Sequence, residues 1–403
     1  MSNSSVSTPI TESAPKQFFP KAAPNSMVAS LLLAFLSSAG LYYVNIFPAI
    51  TDALMVGAGL NASDAGQITS ANAMGAAFGA FTITLLIKKL PQWKLVAVGL
   101  LLMLISIDIF TILQESTAIL VPIRFSHGFM GGALVGLGFS VIARTAKPSV
   151  AFSLLLVVQF GGGALGLWLL PPLVPEFGPY VPFYALITFS VVTLVLMCFL
   201  GEYPLPAAKV AGDSHKVSAP IEYRPLCFTL LALFLFQAAN MALFAFIFGM
   251  GKHYGHTIET LSPMIGIANI VAIGGPVLAI FTAVKFKLLK PLTIALVTSG
   301  VSTLLFLFSA SESIYLIANC ITGVAWAFCI PYFLTMAAKF DEAGQMAALG
   351  GFASKMGLAC GPLAAGYMLG SDNYSRLIIV AAIVIGVVVV ISVYPARNLD
   401  SKI

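Results

Sequence analysis

Twelve apolar runs, each long enough to cross a lipid bilayer, constrain this chain more than any other feature of its sequence. A transmembrane helix needs about 20 apolar residues to cross the roughly 30 Å hydrocarbon core. Only 9% of the residues are charged and 59% are apolar, whereas a soluble protein carries about 25% charged residues. The sequence therefore predicts a polytopic membrane protein and excludes a water-soluble domain.

The predicted spans are helices, because lipid cannot satisfy free backbone groups and the runs are too long for the strands of a barrel. Their boundaries are good to about two to four residues. They lie at about 27–50, 64–87, 95–114, 118–143, 150–173, 181–200, 226–250, 260–284, 291–310, 313–337, 344–369 and 376–395.

The Lys and Arg residues give the orientation of the spans. With the N-terminus inside, Arg124, Lys252 and Arg376 lie toward the outer side, and Lys355 lies within a span. The remaining sixteen of the twenty basic residues lie on the cytoplasmic side, as the positive-inside rule requires. We therefore expect both termini in the cytoplasm and a multi-pass protein of the plasma membrane, which we take to be a bacterial inner membrane.

An internal repeat divides the spans six and six. A shift of 197 residues places Asn72 on Asn269, and a shift of 195 places Gly128 on Gly323. The near-equal offsets predict two six-helix halves around a central cavity, as in one large class of transporters. The predicted units are a disordered cytoplasmic tail, an N-terminal half, a cytoplasmic linker, a C-terminal half and a second tail, at 1–26, 27–200, 201–224, 225–396 and 397–403.

Ionisable side chains inside the spans are the first candidate site residues, since each costs a few kcal/mol at bilayer depth. Lys355 lies near the middle of the eleventh span, with no carboxylate evident at its depth. We interpret it as a contact for substrate or coupling ion; the alternative is a lysine that locks helices together. Asp108 and Arg124 lie at similar depths in adjacent spans and predict an ion pair, as a clamp, an outer gate or a substrate contact. His127 shares a helix face with Arg124, so both can line a cavity.

Neutral polar residues are the second set. Gln159 is the repeat equivalent of Lys355 under a shift of 196, and Gln237 and Asn240 lie one turn apart in the seventh span. Tyr43 lies in the first span and Trp326 in the tenth. Hydrogen bonding between helices is the alternative role for each of them. The glycines at Gly128, Gly132 and Gly136 are spaced by four, a pattern typical of close helix packing.

Three stretches of this sequence are similar to the major facilitator superfamily. The fourth span reads LVPIRFSHGFMGG, in which Arg124 and Gly128 fit the family pattern and His127 stands at its Gln position. The eleventh span holds a Gly-Pro motif, GLACGPLAAG, and the loop after the second span keeps basic residues at 88, 89 and 94. The resemblance covers essentially the whole chain. It implies an all-α fold of about twelve helices in two halves, with the first, fourth, seventh and tenth helices lining the cavity.

These observations predict a secondary transporter that moves a small organic anion by alternating access. The anion is favoured because Arg124, His127 and Lys355 face a single acid, Asp108. The alternative is a proton-coupled exporter of amphipathic compounds, suggested by the aromatic and Met residues of the cavity. Coupling to a proton or ion would use Asp108 or His127.

Other classes of protein fit the sequence less well. No Walker loop is present, and neither a nucleophile–base pattern nor HExxH appears, so we expect neither ATP-driven transport nor an enzyme. A channel would place polar rings at matching depth, but the polar residues differ between the halves. We expect a monomer in the bilayer that binds a small-molecule substrate, with no cofactor, resident metal or nucleic acid.

Overall fold

The computed structural model describes residues 20–86, 92–114, 116–203, 222–340, 345–370 and 373–402, and these residues form helices and no strands. The predicted all-α class is confirmed. Most of the predicted N-terminal tail and of the linker at 201–224 lies outside the described residues. The division of the chain into these five units stays a prediction.

Six spans, made of eight α-helical segments, form the N-terminal half. The first span is broken, and we name its three pieces α1a, α1b and α1c. The bounds of α1a to α6 in chain order are Met27–Ala39, Tyr42–Asn45, Phe47–Asp52, Ala62–Leu86, Trp93–Ile112, Thr117–Ile142, Pro148–Phe177 and Val181–Met197.

Six further spans form the C-terminal half. The seventh span is broken into α7a and α7b, and the eighth into α8a and α8b. The bounds of α7a to α12 in chain order are Tyr223–Ala245, Ile247–His253, Ile258–Val271, Gly274–Lys285, Leu289–Leu305, Glu312–Lys339, Gln345–Met368 and Tyr374–Asp400. In the part of the chain that the structure describes, nine helices are long and apolar enough to cross a membrane, and three shorter apolar helices accompany them.

The helices follow the predicted spans to within a few residues, and the differences lie at breaks and ends. The break in the eighth span precedes Gly274, Gly275 and Pro276. α5 runs on to Phe177 through three prolines, past the predicted end at 173. Proline is tolerated in membrane helices because neighbouring groups satisfy the carbonyl oxygens it leaves free.

Glycines bring α2 and α4 into backbone contact, as the predicted packing role of Gly128 and Gly132 requires. A Cβ atom at Gly128 would overlap the backbone oxygen of Asn72, and one at Gly132 would overlap that of Ala76. The contact is reciprocal, because a Cβ atom at Gly75 would overlap the backbone oxygen of Phe125. This close approach fixes the position of α4, which carries two of the candidate site residues, Arg124 and His127.

A Gly128→Ala substitution should therefore destabilise the protein by at least the roughly 1–3 kcal/mol typical of overpacking, because α2 backbone has to move. Gly99→Ala in α3 is the matched control, since no atom lies within 4 Å of its Cβ position. Alanine is also the better helix former there. We expect a clear fall in melting temperature in detergent for Gly128→Ala and none for Gly99→Ala; equal melting temperatures would show that α2 and α4 do not pack this closely.

The two halves meet along two seams that are related by the repeat. In the first seam α2 packs on α11, where Gly66 lies against Pro362 and the Ser70 hydroxyl donates to the carbonyl oxygen of Ala359. In the second seam α5 packs on α8a, where Asn269 Nδ2 donates to the Phe160 carbonyl oxygen at 3.2 Å. The site residues lie on both sides of these seams.

Candidate functional site

A buried ion pair joins α3 to α4. Arg124 donates to Asp108 Oδ1 from both Nη1 and Nη2, at 2.8 Å each, and Nη1 also donates to Thr111 Oγ1 at 3.0 Å. Neither charged side chain has any exposed surface. The pair predicted from sequence depth is confirmed. Because a lone charge in lipid is costly, each residue compensates for the burial of the other.

His127 extends the pair into a network with α2. Its Nε2 lies 3.2 Å from Asp108 Oδ2, and its Nδ1 lies 2.8 Å from Asn72 Nδ2. The same Asn72 amide group donates to the carbonyl oxygen of Arg124 at 3.1 Å, which fixes the orientation of the amide. Since Nδ1 accepts from this amide, the imidazole proton is assigned to Nε2, facing the carboxylate.

Aromatic rings cover the guanidinium group on two sides. The Arg124 Cζ atom lies 5.3 Å from the ring centroid of Tyr43 and 5.2 Å from that of Phe183. This places Tyr43 of α1b against the network, not in open space. Cation–π contacts of this kind stabilise a desolvated cation. Arg124, Asp108 and His127 thus form a sealed and internally neutralised centre within the N-terminal half, and their roles as substrate contacts or proton carriers stay predictions.

A second polar centre lies in the C-terminal half. The Gln237 side chain of α7a accepts from Trp326 Nε1 of α10 at 2.6 Å and donates from Nε2 to Ser354 Oγ of α11 at 2.6 Å. Three helices of the C-terminal half are therefore tied together at one amide. Trp326 is half-buried, whereas Gln237 is buried.

Lys355 follows Ser354 in α11, but on a different face of the helix. It precedes Ala359 and Pro362 by four and seven residues, which is the spacing of one helix face. Both of those residues contact α2 of the other half. The Lys355 side chain is half-buried, and none of the ion pairs among the described residues includes it. Lys355 is thus a mid-span cation on the face that meets the N-terminal half.

The remaining predicted residues have local partners. Asn45 Nδ2 donates to the backbone oxygen of Gln159 at 3.1 Å, and Gln159 Nε2 donates to Asn45 Oδ1 at 3.2 Å, which joins α1b to α5. Asn240 Nδ2 donates to the Phe236 carbonyl oxygen of its own helix, while its Oδ1 is a buried atom with no partner among the described residues. The structure therefore brings Gln237 and Trp326 together against α11, which carries Lys355 on another face, and places Gln159 on the opposite half.

Comparison with known proteins shows to which family the chain belongs. The family model of the Major Facilitator Superfamily matches residues 30–356, which is most of the chain. The chain belongs to the Major Facilitator Superfamily. Two solved structures of the nucleoside transporter NupG share the fold. The structure of a mutant of NupG has a TM-score of 0.75 at 14% identity, covering 92% of this chain and 99% of that chain; the other structure has a TM-score of 0.70 at 13% identity, covering 92% and 98%. Comparison with curated protein sequences gives no significant match.

Membership in the superfamily confirms the predicted transporter and its fold of about twelve helices in two halves. A transport protein of this superfamily has to open its central site to one side of the membrane at a time. The two halves are thus expected to touch on the closed side.

An ion pair between the halves marks such a contact on the predicted outer side. Lys252 at the end of α7b donates to both carboxylate oxygens of Asp52 in α1c, at 2.7 and 2.8 Å. The Asp52 side chain is only 6% exposed and that of Lys252 is 30% exposed. The pair joins the first span to the seventh at their predicted outer ends.

Lys252 was expected on the outer side, but its pairing with Asp52 was not predicted. A signal was present in the repeat. A shift of 199 residues places AFLSSAG of the first span on LFLFQAA of the seventh, and Asp52 and Lys252 are 200 residues apart. Equivalent residues that lie close to a pseudo-two-fold axis meet each other. Opposite charges at such positions therefore predict an ion pair.

Proposed function

We propose that this transporter carries a small organic anion and that Lys355 supplies the positive charge that binds it. The observation that carries the proposal is an imbalance between the two cations inside the spans, Arg124 and Lys355. Arg124 is matched by Asp108 within hydrogen-bond distance, whereas none of the described carboxylates pairs with Lys355.

The energetics of the bilayer give this imbalance a meaning. An ammonium group at mid-span costs free energy that a carboxylate or phosphate of a ligand would recover on binding. Lys355 lies where the halves meet, so an anion bound there would contact both of them. A ligand that bridges the halves can shift them between the two open states only by binding those states with different affinity.

The neighbouring residues favour an organic anion over a small inorganic one. Gln237 is held in place by Trp326 and by Ser354, the residue before Lys355 in α11, so the indole ring and the amide form a fixed wall within the C-terminal half. A half-buried indole offers an apolar face to a carbon skeleton or a planar ring. Rigid walls of this kind lower the ordering cost of binding.

Thermal stabilisation of the purified protein tests the proposal. The panel contains organic anions, neutral nucleosides and lipophilic cations; nucleosides are included because NupG, which shares the fold, is a nucleoside transporter. We expect an organic anion to raise the melting temperature of wild type. Lys355→Gln should abolish this shift, Lys355→Arg should keep part of it because the charge survives, and Lys147→Gln, a loss of one exposed charge in the turn before α5, should keep all of it.

Two results would count against the proposal. An anion that stabilises Lys355→Gln as strongly as wild type would show that Lys355 does not bind it. Stabilisation by nucleosides or lipophilic cations alone would favour a neutral substrate or the exporter alternative. Lys355→Gln should fold as well as wild type, since the substitution removes a costly charge from the membrane.

A further inference from the structure

An apolar groove opens toward the bilayer between α8b and α9, with α10 as its floor. It has a volume of about 500 Å³. α8b is held on the floor by Gly275, where a Cβ atom would overlap the Val324 carbonyl oxygen, and by a 2.9 Å hydrogen bond between Thr282 Oγ1 and the Tyr332 hydroxyl. α9 packs on α10 and α12 instead of on α8b. The break in the eighth span thus leaves a gap between two neighbouring helices.

The groove runs from the predicted cytoplasmic side past the middle of the spans. Its lining includes Phe286 and Lys290 at the predicted cytoplasmic side, Thr298 and Ala325 near the middles of α9 and α10, and Cys320 five residues closer to the start of α10. From Lys290 to Thr298 the helix rises about 12 Å. One leaflet of the hydrocarbon core is about 15 Å thick. The groove is therefore long enough to hold an acyl chain of the cytoplasmic leaflet.

Charge and polarity differ sharply along the groove. Most of its lining is aliphatic or aromatic, and exposed side chains such as Leu278 and Ile294 form its rim. Lys290 is the charged residue of the lining; it is exposed, and no ion pair among the described residues includes it. An apolar channel that ends at a cation at the membrane surface complements an acyl chain that ends at a phosphate.

The Asp400 carboxylate at the start of α9 does not form an ion pair with Lys290. The Asp400 side chain accepts from the backbone amides of Leu288 and Leu289, at 2.8 and 3.0 Å, and so caps the start of α9. Lys287 donates to the Asp400 backbone oxygen at 2.8 Å. The groups around the groove mouth are thereby engaged with one another, and the Lys290 ammonium is left to the surface.

We propose that this groove binds one anionic phospholipid of the cytoplasmic leaflet, with an acyl chain along the seam of α8b and α9 and the phosphate at Lys290. The lipid would fill the space that the broken eighth span leaves beside the floor helix. Its site lies on the lipid-facing side of the C-terminal half, separate from the cavity face that carries Lys355, so it does not depend on the proposed substrate.

Native mass spectrometry tests the site. The protein is released from detergent in the presence of equal amounts of phosphatidylglycerol and phosphatidylcholine that carry identical acyl chains. Wild type should retain one phosphatidylglycerol in preference to phosphatidylcholine. Lys290→Gln should lower that preference about fivefold, as expected for one lysine at an anionic headgroup. Lys147→Gln, an equal change of charge on the other half, should leave it unchanged. Thr298→Trp should reduce retention of both lipids by filling the groove near the middle of α9.

Each contrary result has a definite meaning. Equal retention of the two lipids by wild type, or an unchanged preference in Lys290→Gln, would overturn the role of the lysine. Full retention in Thr298→Trp would show that the chain does not lie in the groove. A dimer in the same spectra that disappears in Thr298→Trp would show that a second copy of the protein, and not a lipid, occupies the groove.

Discussion

Asp108→Asn should destabilise the folded protein by about 3–5 kcal/mol, because it leaves the buried Arg124 guanidinium without its counter-charge. Arg124→Gln should cost less. His127 Nε2 lies 3.2 Å from the remaining Asp108 carboxylate, so the imidazole N–H still faces the carboxylate when the guanidinium group is gone. Removing both charges together should cost less than the sum of the two single losses, since no unpaired charge then remains.

A double-mutant cycle on the melting temperature or on denaturant unfolding in detergent measures this coupling. The role of His127 is separated by adding His127→Gln to the Arg124→Gln variant, which should bring the loss up to that of Asp108→Asn. Strictly additive losses for Asp108 and Arg124 would show that the pair contributes no interaction energy. An Arg124→Gln variant that is insensitive to His127→Gln would show that the histidine does not substitute for the arginine.

The pairing of Asp108 with Arg124 could be predicted because it depends only on the depth of the two residues in the membrane. Adjacent antiparallel spans joined by a short turn bring residues of equal depth together, and an uncompensated charge in lipid is penalised heavily. The same reasoning located the twelve spans, since the bilayer sets one length for all of them. Depth is the quantity that a membrane sequence encodes most directly.

Rotation about the helix axis and breaks within a span are encoded less directly. Arg124 and His127 were expected to line a cavity, yet α4 turns them toward α2 and α3, where Asn72 and Asp108 satisfy them. An apolar run does not reveal which side of its helix packs on protein, because the lipid-facing and protein-facing sides are both apolar. The break at 272–273 was likewise not predicted, although Gly274, Gly275 and Pro276 follow it. The length of an apolar run reflects the thickness of the bilayer but does not reveal a break in the helix.

Contacts between the halves were the least predictable, because they depend on which side of the transporter is closed. Asp52 and Lys252 meet only when the outer ends of α1c and α7b come together. Their distance in sequence is a repeat period, so the symmetry of the halves carries the information and neither span shows it alone. This dependence on state makes the pair a suitable probe of the transport cycle.

Breaking the Asp52–Lys252 pair should open the outer side of the transporter. The contact is intermediate between exposed pairs, worth up to about 1 kcal/mol, and buried ones, worth several, so its loss should favour the open state about tenfold. Lys252→Gln should have the larger effect, because it leaves a carboxylate that is 6% exposed, whereas Asp52→Asn leaves a lysine that is 30% exposed and reaches water.

Labelling of a single cysteine from outside measures this opening. With the five native cysteines replaced by alanine, an impermeant maleimide should label Asn45→Cys slowly in the otherwise unchanged protein and about tenfold faster in the Lys252→Gln variant. Exchanging the charges, Asp52→Lys with Lys252→Asp, should restore slow labelling because the attraction between the halves returns. Lys147→Cys on the predicted cytoplasmic side should stay unlabelled from outside in every variant. Fast labelling in the charge-exchanged protein would show that the attraction between these two residues does not hold the outer side closed.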